Sequence, residues 1–208
     1  MSQITTGLRA ILSNPKIYDF FQQIMGANYG RTIFSSQYIK AQDGDYVLDI
    51  GCGTAEIRFF LPNVEYFGFD PNARYIEAAK KRFQVAHKSG KLLHATLDTA
   101  ILTNLPKFDI VLLMGVLHHL NDDEAKQLAR LAMAALKPNG RLITSDPCFS
   151  EEQSFMARYL VSKDRGQHVR NVEGYKALMS SVFSTVNCDL RDDFARFPYT
   201  HLIMECQI

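Results

Sequence analysis

The chain predicts an α/β fold built on a mostly parallel sheet, and three observations carry that prediction. Apolar runs of strand length alternate with longer stretches whose apolar residues recur at helical spacing. Two of the runs end in distinctive chemistry: Val47–Ile50 passes into Gly51-Cys52-Gly53, and Tyr66–Phe69 ends in Asp70. The 208 residues are 47% hydrophobic, enough to bury one core and nothing that calls for a second domain.

Taken in order, residues 3–41 show helical spacing through Ile17, Phe20, Phe21, Ile24 and Met25, then Ile33, Phe34, Tyr38 and Ile39, and predict two or three helices before the first strand. The first strand, Val47–Ile50, is released by two glycines, so that backbone N–H groups can approach a ligand before a helix from about Thr54 to Leu61. The second strand delivers Asp70 about 20 residues after the glycines, where a carboxylate can accept both hydroxyl protons of a ribose. A helix over Asn72–Ala86 follows, then a third strand over Lys91–Asp98 and a fourth, wholly buried one over Phe108–Met114. A helix over Asp122–Leu136 is ended by Lys137-Pro138-Asn139-Gly140, and a fifth strand, Arg141–Ser145, stops at Asp146-Pro147. Residues 151–182 read as helical with a break at Lys163–Asn171. Phe183–Leu190 and Tyr199–Cys206 are the last strands, and their short connection predicts an antiparallel pair. Ligands of a parallel sheet collect beyond the carboxyl ends of its strands, which gathers Gly51, Asp70, Asp98 and Met114-Gly115 around one crevice.

The ligand is narrowed by what the turn lacks. A dinucleotide fingerprint needs a third glycine to let the helix lie under a pyrophosphate, and here Thr54, Ala55 and Glu56 follow Gly53. A carboxylate at Glu56, with no basic residue between Asp49 and Glu56, repels a diphosphate and suits a cationic, phosphate-free cofactor, S-adenosylmethionine. In these motifs, and in their order, the chain resembles the class I S-adenosylmethionine-dependent methyltransferases, in the small-molecule branch that includes the ubiquinone and menaquinone biosynthesis methylases. The resemblance implies a Rossmann-like sheet of seven strands, the last antiparallel, with helices on both faces and an N-terminal helical cap over residues 1–41. It implies one domain over 1–208, with the sheet core in 45–208. It places Gly51 and Gly53 beside the methionine part of the cofactor, Asp70 on the ribose, Asp98 and Thr99 near the adenine amino group, and Gly115 close to the sulfonium. Asp49, Cys52, Pro71, Met114 and Arg31 complete the cofactor set. Asp98 is equally suited to capping a helix.

Methyl transfer from a sulfonium is an in-line displacement, so the protein must orient the acceptor and, for some acceptors, remove a proton. His118 and His119 follow the fourth strand beside the expected sulfonium, and are the candidate bases; the alternative is a hydrogen-bonded crevice wall. The Asn-Pro-Pro-Tyr phrase of amino-nitrogen methylases is replaced by Met114-Gly115-Val116-Leu117, and only Asp146 stands where catechol-type enzymes ligate magnesium, so no metal is expected. A small-molecule acceptor follows. Lys163–Arg170 is the most individual segment: Arg165 and Arg170 are candidates to clamp an anionic group on the acceptor, with Asp146, His168 and Tyr29 as further substrate contacts, against the plainer reading of a surface loop in which Arg165 pairs with a carboxylate. Tyr18, Tyr29 and Arg31 are the cap residues best suited to reach the crevice.

The charge balance excludes other partners. With 23 basic and 22 acidic residues the net charge is +1, which offers no footprint for nucleic acid or an anionic membrane. Lys80-Lys81-Arg82 reads as the solvated face of a helix. Cys52, Cys148, Cys188 and Cys206 are too scattered for a zinc site or a disulfide framework, and no apolar run reaches the ~20 residues of a membrane helix, so a cytoplasmic protein is expected. A nicotinamide-dependent oxidoreductase would need the third glycine. A protein that binds the cofactor for regulation, or uses this fold for another reaction, stays open on sequence, as does the oligomeric state.

Overall fold

The computed structural model describes residues 27–194 and 197–208. Its centre is a sheet in the order β3-β2-β1-β4-β5-β8-β7, formed by β1 (Tyr46–Ile50), β2 (Glu65–Asp70), β3 (Lys91–His94), β4 (Phe108–Met114), β5 (Leu136–Phe149), β7 (Thr185–Arg191) and β8 (His201–Gln207). The first five are mutually parallel, while β8 lies antiparallel between β5 and β7. A two-residue strand, β6 (Arg170–Asn171), pairs beside the end of β5 and is the addition to the seven expected strands.

The sheet is covered on both faces, and β4 shows why its sequence is an unbroken apolar run. Successive side chains of a strand point to opposite faces. Val111 and Leu113 enter one core together with Ala125, Ala129 and Ala132 of α4 (Asp122–Ala135) and Tyr175, Leu178 and Met179 of α6 (Val172–Ser180). Ile110 and Leu112 enter the other, with Phe34 of α1 (Ala27–Phe34) and Ile76, Ala79 and Phe83 of α2 (Ala73–Val85). The alanine stripe of α4 holds no bulk between helix and sheet. Asn72 caps α2, and Asn121 with Glu124 forms a reciprocal capping box at α4.

Several boundaries differ from expectation. After the glycine turn there is no α-helix but a short 3₁₀ helix, Glu56–Phe60, because Ala55 adopts a left-handed φ of 54° and its N–H turns back to Cys52 O. Within that turn Arg58 is 1% exposed and donates to the carbonyls of Ser89 and Pro62, so it faces inward. The third strand stops at His94, since this edge strand has only β2 beside it. Asp98 caps a short helix, α3 (Thr99–Leu102). The fifth strand runs on past Asp146-Pro147, because the pairing continues: β8 reaches Pro147 and β6 takes Cys148 and Phe149. Of the expected N-terminal helices, α1 and a π-helical turn, Ser35–Ile39, are seen. The rest of that segment, with Tyr18, lies outside the described residues. Among those residues no helix is long and apolar enough to cross a membrane.

Candidate active site

The parallel strands deliver Gly51, Asp70 and Gly115, three of the residues expected around the crevice, to one edge, and β5 brings Asp146 beside them. The backbone there is held in left-handed turns, with φ of 75° at Gly51, 54° at Gly53 and 68° at Gly115. Gly51 and Cys52 both donate their N–H groups to Phe69 O, which folds the turn over the end of β2. A Cβ on Gly51 would stand 2.7 Å from Val116 Cγ2, whereas one on Gly53 would meet nothing within 4 Å, so the backbone at Gly53 opens onto free space. Asp70 is 7% exposed and accepts from Gly53 N at 2.9 Å and Asn72 N at 2.7 Å, one bond per carboxylate oxygen. Burial raises its pKa and these two bonds lower it, with a net rise.

A small cleft lies beside this turn, bounded by Gly51, Pro71, Thr96, Leu97 and Leu128. Asp98 and Thr99 do not line it. Both are exposed, and the Asp98 carboxylate is engaged by Ile101 N at 2.8 Å as the cap of α3. Thr96 and Leu97 stand in the place the sequence assigned to them. Glu56 is not a lone carboxylate either: it pairs with Arg82 of α2, which also donates to Thr54 O. Arg82 thus leaves the solvated face predicted for it, and the exclusion of a dinucleotide rests on the missing third glycine.

Beneath the turn, Asp49 is 2% exposed, and Tyr66 Oη donates to its Oδ2 at 2.5 Å while Oδ1 has no hydrogen-bond partner among the described residues. Burial pushes Asp49 up to about 7, against the lowering effect of the Tyr66 bond, and the nearby Asp70 adds to the rise. Cys52 is half-buried, and burial beside Asp49 and Asp70 raises its thiol far above the ordinary value.

Past β4, Leu117–His119 forms a 3₁₀ turn that sets the two histidines side by side with ring centroids 4.0 Å apart. His118 is clamped between carboxylates: Nδ1 lies 2.7 Å from Asp146 Oδ1 and Nε2 3.1 Å from Asp164 Oδ1. Burial opposes its charge, but the two carboxylates prevail and raise it to about 9. With a carboxylate on each nitrogen, a charged His118 donates from both, and neither nitrogen is left open toward an acceptor. His119 is the opposite case. Burial and the charge on His118 push it down to about 4, so it is neutral, and its Nδ1 is buried without a hydrogen-bond partner.

The loop after α5 (Phe155–Ser162) packs onto this pair. Asp164 accepts from His118, from Gly166 N and from Tyr199 Oη at 2.7 Å, and His168 N donates to His118 O. Arg170 is not a substrate clamp here. It donates to Leu117 O, Leu120 O, His168 O and Asp122, which ties the loop to the histidine turn. Asp146, at 1% exposure, faces His118 and not an open acceptor site. Arg165 is half-buried on the same loop. On α1, Arg31 donates to Asn28 Oδ1 and Tyr29 is 63% exposed. Sequence reasoning missed Tyr66, Asp164 and Tyr199. For Tyr66 a signal existed, a tyrosine two residues before Gly68 on one strand face.

Comparison with known proteins agrees with this fold. Residues 48–142, from β1 to β5, match a family model described as a methyltransferase domain. The chain is 34% identical over 113 residues to a ubiquinone biosynthesis O-methyltransferase of Bradyrhizobium sp. (strain ORS 278), covering 53% of this chain and 43% of that protein. It is 28% identical over 165 residues to a phosphoethanolamine N-methyltransferase of Triticum aestivum, covering 74% and 31%. It thus spans less than half the length of either curated relative. Among solved structures, an S-adenosylmethionine-dependent methyltransferase from Clostridium acetobutylicum ATCC 824 superposes with a TM-score of 0.66 at 14% identity, covering 95% of this chain and 99% of that one. Residues 48–142 are thus similar to a methyltransferase domain, and the chain carries the fold of solved S-adenosylmethionine-dependent methyltransferases.

Proposed function

We propose that this chain, acting as one domain, transfers a methyl group from S-adenosylmethionine to a small-molecule acceptor in the cytoplasm. The observation that carries the reading is the join between the glycine turn and Asp70: left-handed Gly51 and Gly53 clear a backbone surface, and a nearly buried carboxylate stands beside it with one lone pair of each oxygen still uncommitted. That arrangement fits a ribose diol. The apolar cleft of Pro71, Thr96, Leu97 and Leu128 lies on the side where the adenine would follow, and the Oδ1 of buried Asp49, unpartnered among the described residues, suits the ammonium of the methionine tail. Cys52 contributes backbone, and Met114 with Gly115 forms the floor toward the reacting methyl. The cofactor supplies an activated methyl; the protein's part is to aim an acceptor at it and exclude water.

The acceptor approaches from beyond β4 and β5, where His119 stands beside the carboxylate-bound His118. Arg165, half-buried on the loop and with its charge acting on His119, is the candidate on that side for an acidic group of the acceptor. The four cysteines are all free thiols, which suits a reducing compartment.

Titration calorimetry tests the reading. S-adenosylmethionine and its demethylated product should bind in the micromolar range, and Asp70→Ala should weaken them by roughly 1.5–3 kcal/mol, the worth of a charge-assisted hydrogen bond. Binding of NAD in their place, or unchanged affinity in Asp70→Ala, contradicts it.

A further inference from the structure

Asp49 and Tyr66 are joined in a way that the register of the sheet makes possible. Asp49 of β1 pairs directly with Gly68 of β2, and Tyr66 stands two residues earlier on the same face of β2. A Cβ on Gly68 would lie 3.1 Å from Tyr66 Cε1 and 2.9 Å from Cys52 Sγ, so the tyrosine ring and the thiol both lie over the glycine. The absent side chain lets the ring cross diagonally and set its hydroxyl on Asp49 Oδ2, two residues before Gly51. Both groups are almost wholly buried. One carboxylate oxygen is thereby taken and the other left without a hydrogen-bond partner among the described residues.

We infer that Tyr66 is a positioning residue for the cofactor: its hydroxyl fixes the rotamer of Asp49, beneath the glycine turn, and holds the carboxylate ready for the ammonium of the amino-acid tail. The inference rests on the proposed cofactor. A lone buried carboxylate takes up a proton readily, and a protonated Asp49 has no charge to offer a cation. The groups facing it are Tyr66 and Asp70 from β2 and Cys52 from the turn, while Arg58 acts on Tyr66 from the 3₁₀ helix. Tyr66 is the one among those acting on Asp49 that favours its ionised form, since Asp70 adds to the burial effect. Removing the hydroxyl must move Asp49 further up and so lower cofactor affinity near neutral pH.

The experiment compares wild type with Tyr66→Phe, which keeps the ring over Gly68, by titration with S-adenosylhomocysteine between pH 6 and 9. In the wild type, affinity should rise with pH through about 7 and then level. In Tyr66→Phe the rise should shift to higher pH, and affinity at pH 7 should fall about tenfold. The ligand's own ionisation is common to both proteins, so the difference between the profiles reports Asp49. Carboxyl ¹³C shifts of Asp49, recorded without ligand, should show the same upward displacement. Identical profiles and an unmoved Asp49 would overturn the role of Tyr66 while leaving the cofactor assignment intact. A wild type that does not bind at all would remove both.

Discussion

At His118, burial and charge act in opposite directions, and the outcome sets a pH dependence. The ring is 4% exposed, yet Asp146 and Asp164 on its two nitrogens raise it from the ordinary 6.5 to about 9. A histidine whose folded pKa exceeds its unfolded one adds stability that is complete below about pH 6.5 and disappears as pH rises through about 9. Asp164 makes the complementary contribution. Burial acts to raise it, but the bond from His118 wins and holds it well below the usual carboxylate range, so its share is present above about pH 4 and lost in acid. Urea unfolding at pH 6 and pH 9.5 should therefore differ by on the order of 3 kcal/mol, the worth of the His118 displacement. Asp164→Asn should bring His118 down toward neutrality in ¹⁵N spectra and flatten that dependence. Stability that does not change between these pH values in the wild type would show that the clamp is absent in solution.

The element that matters most beyond the glycine turn is the loop between α5 and α6. Arg170 anchors it through three carbonyls and Asp122, and its guanidinium lies over the Tyr175 ring at 5.5 Å. Asp122 is largely exposed, so that ion pair contributes little; the carbonyl bonds carry the energy because they satisfy part-buried groups of the histidine turn. Arg170→Ala should cost about 2–3 kcal/mol of stability and speed amide exchange over residues 163–171. Arg170→Lys should recover little of it, because one ammonium cannot reproduce the planar fork. An unchanged unfolding curve with a raised KM would instead restore the substrate clamp read from the sequence.

For the whole molecule, the legible parts were those written in periodicity. β4 appears over the predicted residues because a strand buried on both faces must be apolar throughout, and α2 and α4 begin where Asn72 and Asn121 cap them. Asp70 was legible because a strand end and a glycine turn fix its place together. Contacts between loops were not. Asp164 meets His118 across 46 positions of chain, and Arg58 turns inward to carbonyls with no carboxylate to announce it. Such partners are chosen by packing, which leaves no period in the sequence. Asp98 illustrates the converse: a carboxylate after a strand suits a ligand and a helix cap equally, and the cap prevailed.

The claim at the centre of this account is that one sheet edge holds a nucleoside through Asp70 and an open glycine turn. A crystal structure with S-adenosylhomocysteine tests it most directly. The account predicts both ribose hydroxyls on the Asp70 carboxylate, the adenine between Pro71 and Leu97, and the amino-acid tail over Gly51–Gly53. A nucleoside bound elsewhere, or seated there with its ribose turned away from Asp70, would contradict it.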